Sequence, residues 1–347
     1  MRTSFQICIL SIVVLIIGVA APRVNAQCSA DLNADHSVTA QDLAIMLAFW
    51  GPTTTFAAAD INQDHIVNAQ DLAMLLAGWG PCPPADLSWA TVLEQDPNPA
   101  VVTDANFRQR MIGTGLPWRV RDNGTGIEML LVPAGTFMMG CSPEDGQCSL
   151  NETPTHQVTL TNAFYMGKTE VTQAQWQAKM GSNPSYFTSE YGYPGSFDRP
   201  VEQVSWEIIH GFNSATSLRL PTEAEWEYAC RAGTTTARYG VLDDIAWFNP
   251  NWTYYGTQPV AGKLPNALGL YDTLGNVWEW CQDLYGPYSS GSVTNPTGPA
   301  TGDSSSSRLL RGGSWNSVSV NSCGSQRYKG SPGYPDHGFG IRVARNP

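Results

Sequence analysis

Two twelve-residue segments near the start of the chain carry oxygen-bearing side chains in the same places. The first offers Asp31, Asn33, Asp35, Thr39 and Asp42, the second Asp60, Asn62, Asp64, Asn68 and Asp71. These fall at loop positions 1, 3, 5, 9 and 12, from which an EF-hand loop wraps calcium, with a backbone carbonyl at position 7, here from Ser37 and Ile66. Hard carboxylate and carbonyl oxygens suit calcium, and six Asp in two short turns repel one another without a cation. His36 and His65 stand at the sixth loop position, where glycine ordinarily allows the sharp turn, which weakens the expected affinity.

Other chemistry is sparse. The five histidines, His36, His65, His156, His210 and His337, show no metal-ligand spacing, and no nucleophile-elbow motif supports a Ser-His-acid triad. A net charge of −11 argues against a nucleic-acid partner, which needs a basic face. The segment from Asp243 to Tyr255, with Trp247, Trp252, Tyr254 and Tyr255, lines a groove or simply packs.

The elements that position these residues follow from local pattern. Arg2, the apolar run Ile7 to Ala21 and the small-residue site Val24-Asn25-Ala26 read as a secretory signal peptide over residues 1–26, so the mature chain is expected to be exported, with no membrane span left after cleavage. Export makes disulfides the default for the seven remaining cysteines. Cys28 and Cys82 bracket the duplicated segment, Cys141 and Cys148 flank a short loop, and Cys230 and Cys323 are the natural third pair, leaving Cys281 alone. Residues 27–82 read as the calcium module: after each loop, Leu43 and Leu47, then Leu72, Leu75 and Leu76, give a helical stripe ended by Gly-Pro. Residues 83–125 read as a linker and lead-in, with a short helix capped by Thr103 or Asp104. From 126 to 347 the chain reads as one loop-rich domain. Met129 to Gly140 gives two strands broken by Pro-Ala-Gly, and His156 to Met166 a further strand. Capping boxes at Thr172–Gln175 and Thr222–Glu225 open helices, Ser205 caps another, and Phe339 to Ala344 closes as a strand.

A duplicated loop-helix of this kind resembles a dockerin type I module, which implies a cohesin-like or other protein partner. The helix positions matching those that dockerins present are Ala40-Gln41 and Ala69-Gln70, not a hydroxyl pair. The large domain resembles the formylglycine-generating enzyme (sulfatase-modifying factor) family. The resemblance rests on Val132-Pro-Ala-Gly-Thr-Phe-Met-Met-Gly, Lys168-Thr-Glu-Val-Thr, Arg199-Pro-Val-Glu-Gln-Val-Ser-Trp, Arg219-Leu-Pro-Thr-Glu-Ala-Glu-Trp, Gly269-Leu-Tyr-Asp-Thr-Leu-Gly-Asn-Val-Trp-Glu-Trp, Leu310-Arg-Gly-Gly-Ser-Trp and Gly340-Ile-Arg-Val-Ala. It implies an α+β, C-type-lectin-like fold behind a small all-α module. It also implies a structural calcium site with side-chain oxygens from Asp272 and Glu279 and backbone carbonyls from Gly275 and Val277.

The family's oxidases hold copper(I) with two cysteines, five apart, beyond the Gly-Gly-Ser turn, and convert a substrate cysteine to formylglycine. Counted from Ser314, those places here are Ser317 and Ser322, with Cys323 one residue further on. Copper(I) prefers soft thiolates, and a hydroxyl is a poor substitute. The leading expectation is an exported, calcium-binding, non-catalytic binding or assembly protein whose large domain takes a peptide or glycan. The alternatives are a formylglycine-generating oxidase, for which copper would be required, and a calcium-stabilised structural component of an extracellular assembly.

Overall fold

A computed structural model of the chain describes residues 30–32, 37–52, 59–62, 64, 66–81, 86–252, 255–302 and 306–347. The signal peptide, Cys28 and Cys82 lie outside the described residues. Among the described residues no helix is long and apolar enough to cross a membrane.

The duplicated segment folds as two copies of one unit. Strand β1 (Ser37–Val38) leads into helix α1 (Ala40–Ala48) and β2 (Gly51–Pro52). Then β3 (Ile66–Val67) leads into α2 (Ala69–Ala77) and β4 (Gly80–Pro81). β1 pairs antiparallel with β4, and β2 with β3, so each loop is tied to the far end of a helix. Both helices start with a capping box, Thr39 with Asp42 and Asn68 with Asp71, which satisfies otherwise orphaned N–H groups. The small core is Ala30, Val38, Met46, Ala59, Val67 and Leu75, with Leu43 and Leu72 packed on it. The expected stripe needs one correction: Leu47 and Leu76 are about half exposed. Met46 and Leu75 take the inward places, three residues on from Leu43 and Leu72, as the helical period requires.

The large domain begins earlier than the motifs alone indicate. β5 (Ala90–Glu94), α3 (Ala105–Ile112) and β6 (Arg119–Asp122) precede β7 (Glu128–Val132), β8 (Gly135–Met139), β9 (His156–Leu160) and β10 (Phe164–Gly167). Helices α4 (Gln173–Met180), α5 (Trp206–Thr216), α6 (Glu223–Arg231) and α7 (Leu242–Ile245) follow. Then come β11 (Trp278–Leu284), β12 (Val293–Thr294), β13 (Arg308–Arg311), β14 (Arg327–Gly330), β15 (Phe339–Gly340) and β16 (Ala344–Arg345). Three sheets result, in the orders β16-β10-β7-β6-β5, β14-β13-β11-β15 and β12-β9-β8. The lead-in stretch therefore adds two strands to the five-stranded sheet, and Asp104 caps α3 by accepting from Phe107 N at 2.9 Å.

The segment from His156 to Met166, read as a single strand, is two strands in different sheets. The break is at Thr161, whose N–H donates to Asn295 Oδ1 at 2.9 Å, diverting the chain from its ladder. The closing segment divides in the same way, with β15 and β16 in separate sheets. Between them Arg342 is fully buried. The core packs Trp226 and Trp280 among the sheets, with Trp176 stacked on Phe212 at 5.0 Å.

Candidate functional sites

The second calcium loop is fully enough described to be tested as a cation site. One ligand oxygen from each of Asp60, Asp64 and Asp71 lies within 4.8 Å of the others. Among the described residues this is the one such group of three acidic, histidine or cysteine side chains. The loop is held in shape by its own side chains. Asp64 N donates to Asp60 Oδ1 (3.1 Å) and Asn62 Oδ1 (3.0 Å), and Ile66 N donates to Asp64 Oδ1 (2.9 Å). Asp71, at position 12, accepts from Asn62 N at 3.1 Å and Asn68 N at 2.9 Å. Position 12 thus closes the loop and caps the helix at once. In the first loop Asp42 does the same, accepting from Leu32 N at 2.7 Å and Thr39 N at 2.8 Å. Asn33 and Asp35 lie outside the described residues, as does the side chain of Ser37. Three carboxylates converging among hard oxygen donors fit calcium, which Asp60, Asp64 and Asp71 would hold.

The residues that the count from Ser314 puts at the family's copper places follow β13. Gly312 and Gly313 both have positive φ, 93° and 83°. A Cβ on them would lie 2.8 Å from Thr273 O and 2.9 Å from Asn321 O, so the turn needs glycine. It delivers Ser314, Trp315 and Ser317. Ser317 Oγ accepts from Ser314 N at 2.9 Å and lies 3.3 Å from Ser314 Oγ. Ser322 is fully buried, and its hydroxyl has no hydrogen-bond partner among the described residues. Cys323 Sγ lies 3.7 Å from Ser325 Oγ, and burial pushes its thiol pKa up. Hydroxyls at both places and one protonated thiol nearby do not fit copper(I), which needs two thiolates.

The cysteine pairing requires a correction. Cys141 and Cys148 are bonded, closing the loop between them. Cys230 and Cys323 are not paired: both are free and buried, as is Cys281. Their sulfurs face different neighbours, Cys230 Sγ donating toward Thr273 O and Cys323 Sγ meeting Ser325 Oγ. Burial drives the Cys230 thiol up to about 12 and Cys281 well above its ordinary value.

Around Ser314 and Ser317 lies an aromatic face that the motifs did not announce. Trp315 meets Phe187 edge-on at 5.3 Å and Tyr255 at 4.7 Å. Tyr186 stacks on Tyr191 at 5.2 Å and meets His337 at 4.7 Å. Tyr186, Tyr191 and Tyr255 are exposed. Beneath them Glu202 is buried: Oε1 accepts from Phe187 N at 2.9 Å, and Oε2 lies 3.9 Å from His337 Nδ1. Burial pushes the Glu202 carboxyl up to about 8. Nearby, a cavity of about 430 Å³ is lined by residues including Pro194, Arg199, Trp247 and Gln258. Of the aromatic residues singled out between Asp243 and Tyr255, Trp247 lines this cavity and Tyr255 joins the face. Trp252 packs 6.2 Å from Tyr255, and Tyr254 lies outside the described residues. A signal for the rest was present in the spacing Tyr186, Phe187, Tyr191, Tyr193, which belongs to no helix or strand period.

The second expected calcium set is Asp272, Gly275, Val277 and Glu279. Glu279 is engaged by Arg342, through Nη2 at 2.7 Å and Nε at 3.0 Å, and by Trp226 Nε1 at 2.6 Å. Asp272 has φ 54°; its Oδ2 accepts from Ala261 N at 2.6 Å, while Oδ1 has no hydrogen-bond partner among the described residues. Burial raises the Asp272 carboxyl to about 6. The backbone of Gly275 and Val277 is held by N–H bonds to Gly312 O and Glu170 Oε1.

Comparison with known proteins accords with this architecture. Residues 118–347 match the sulfatase-modifying factor enzyme 1-like domain, and residues 29–77 match the dockerin type I domain. The chain is 31% identical over 246 residues to the formylglycine-generating enzyme of Streptomyces coelicolor, covering 53% of this chain and 77% of that one. It is 33% identical over 242 residues to serine/threonine-protein kinase pkn1 of Chlamydia pneumoniae, covering 63% of this chain but only 38% of that protein's length. Among solved structures, Treponema denticola variable protein 1 superposes with a TM-score of 0.57 at 30% identity, over 64% of this chain and 95% of that one. The fold is the α+β, C-type-lectin-like fold of formylglycine-generating enzymes, and the chain belongs to the sulfatase-modifying factor enzyme 1-like family, with a dockerin type I domain ahead of that domain.

Proposed function

We propose that this is an exported, calcium-binding assembly protein whose large domain binds a peptide or glycan and performs no copper oxidation. The reading is carried by the hydroxyls of Ser317, tied to Ser314, and of Ser322, buried, at the two places that the count from Ser314 assigns to the family's copper-binding cysteines. The exposed tyrosines beside Trp315, with a cavity close by, support a binding role for the same face. The dockerin module supports attachment to a cohesin-like partner, and the acid cluster of its second loop supports calcium as the ion on which that attachment depends.

The test is direct. The mature protein, supplied with copper(I), is mixed with a Cys-x-Pro-x-Arg peptide, and the product is read by mass spectrometry beside a working family enzyme. The expected result is unmodified peptide. Conversion of the cysteine to formylglycine overturns the reading and returns the oxidase alternative.

A further inference from the structure

Apart from the aromatic face, β5, β6, β7 and the loop carrying Gly269 and Tyr271 enclose a smaller cavity of about 160 Å³. Val101, Leu130, Trp118 and Tyr271 supply its apolar walls, and Arg119, Lys168, Glu94 and Asn98 its polar rim, with Glu94 ion-paired to Arg119. A cavity of roughly 150 Å³ accepts a single benzene ring.

Two observations distinguish it from a packing gap. The first is charge. Arg119, Arg121 and Lys168 converge on two carboxylates, Glu94 and Glu128. Arg119 lies 2.6 Å from Glu94 and 2.7 Å from Glu128, Arg121 lies 2.9 Å from Glu128, and Lys168 only 3.4 Å from it. Three cations against two anions leave this patch positive in a chain of net charge −11. Burial alone would raise the Glu128 carboxyl, but hydrogen bonds from Arg121 and Arg119 and the charge of Lys168 outweigh it and hold the group at about 2. Arg119 and Arg121 both pair closely with Glu128, while the Lys168 ammonium, with three donors, has among the described residues one long ion pair, at 3.4 Å, and lies 5.5 Å from the centre of the Tyr271 ring.

The second observation is the indole of Trp118. The side chain is buried, and its Nε1–H has no hydrogen-bond partner among the described residues. A buried donor without an acceptor is unfavourable, and a bound acceptor would relieve it. Gly269 packs close to this wall: a Cβ there would lie 2.9 Å from Val101 Cγ1, 3.1 Å from Leu130 Cδ1 and 3.6 Å from Trp118 Cζ2, so a larger residue would crowd the cavity lining.

We infer that this cavity binds a small organic carboxylate with a body no larger than one ring. The carboxylate sits between the Lys168 ammonium and the Trp118 indole N–H, and the ring lies against Val101, Leu130 and Tyr271. This site is separate from the aromatic face and does not rest on the function proposed above.

Benzoate is the probe, titrated into the full-length mature protein labelled with ¹⁵N-tryptophan. The Trp118 indole resonance is assigned by its loss in Trp118→Phe. A saturable shift of that resonance is expected with benzoate and none with benzyl alcohol, its neutral counterpart. Lys168→Met should weaken the benzoate response at least tenfold, and Lys168→Arg, which keeps the charge, should retain it within a few-fold. An unmoved Trp118 resonance, equal responses to acid and alcohol, or undiminished binding by a folded Lys168→Met protein would each overturn the assignment.

Discussion

At the residue scale, the proposed function rests on two hydroxyls, those of Ser317 and Ser322, standing where the count from Ser314 puts the family's two thiols. Ser317→Cys with Ser322→Cys restores the spacing, and the Gly312-Gly313 turn that presents them is already in place. In competition with a copper(I) chelator, the double variant is expected to withdraw copper while the parent leaves it with the chelator. Withdrawal by the parent would count against the proposed function. Glu202 gives a second prediction. Its carboxyl is raised to about 8 by burial, against about 4.3 for an unperturbed glutamate. Between those values the folded state holds a proton that the unfolded state has released, so stability falls as pH rises through this window. Glu202→Gln should flatten the decline in melting temperature between about pH 4.5 and 8; an unchanged slope would mean that the buried group does not titrate on unfolding. The Ser317 and Ser322 places were legible by counting from Ser314, but the state of Glu202 was not, because its burial depends on Phe187 and His337, which are far from it in sequence.

At the element scale, helix starts were legible because a cap is a local chemical event. Thr172, Ser205 and Thr222 all cap where their spacing placed them, and Thr222 Oγ1 accepts from Glu225 N at 3.1 Å. Thr222→Ala should cost about 1 kcal/mol, read from the urea midpoint. Strand breaks were not legible, since the division at Thr161 is made by Asn295, a partner 134 residues away. Also hidden were the ion pairs joining α6 to the sheet. Glu227, fully buried, meets Arg231 Nε at 2.8 Å and also Arg311. Glu227→Gln leaves two guanidiniums short of their anion and should destabilise the domain by roughly 3–5 kcal/mol. A loss below about 1 kcal/mol would show that the network relaxes around neutral partners.

At the scale of the whole molecule, two hydrophobic clusters without shared members, one in each domain, imply two units of stability. The calcium loops concern only the first. Chelation should lower the smaller unit's melting transition and leave the larger one in place, as followed by calorimetry; a single transition moved as a whole would show that the two unfold together. Domain order and fold class were legible because the motifs are short, ordered and rich in glycine and tryptophan. The lead-in stretch was not, since β5 and β6 have no motif and acquire meaning only against β7. The three sealed thiols, Cys230, Cys281 and Cys323, have a practical consequence. A thiol-reactive dye cannot reach them until the surrounding structure opens, so their labelling reports breathing of the interior. Once any accessible thiols have been blocked, digestion and mass spectrometry would assign an opening rate to each of these positions, using reporters already present in the chain.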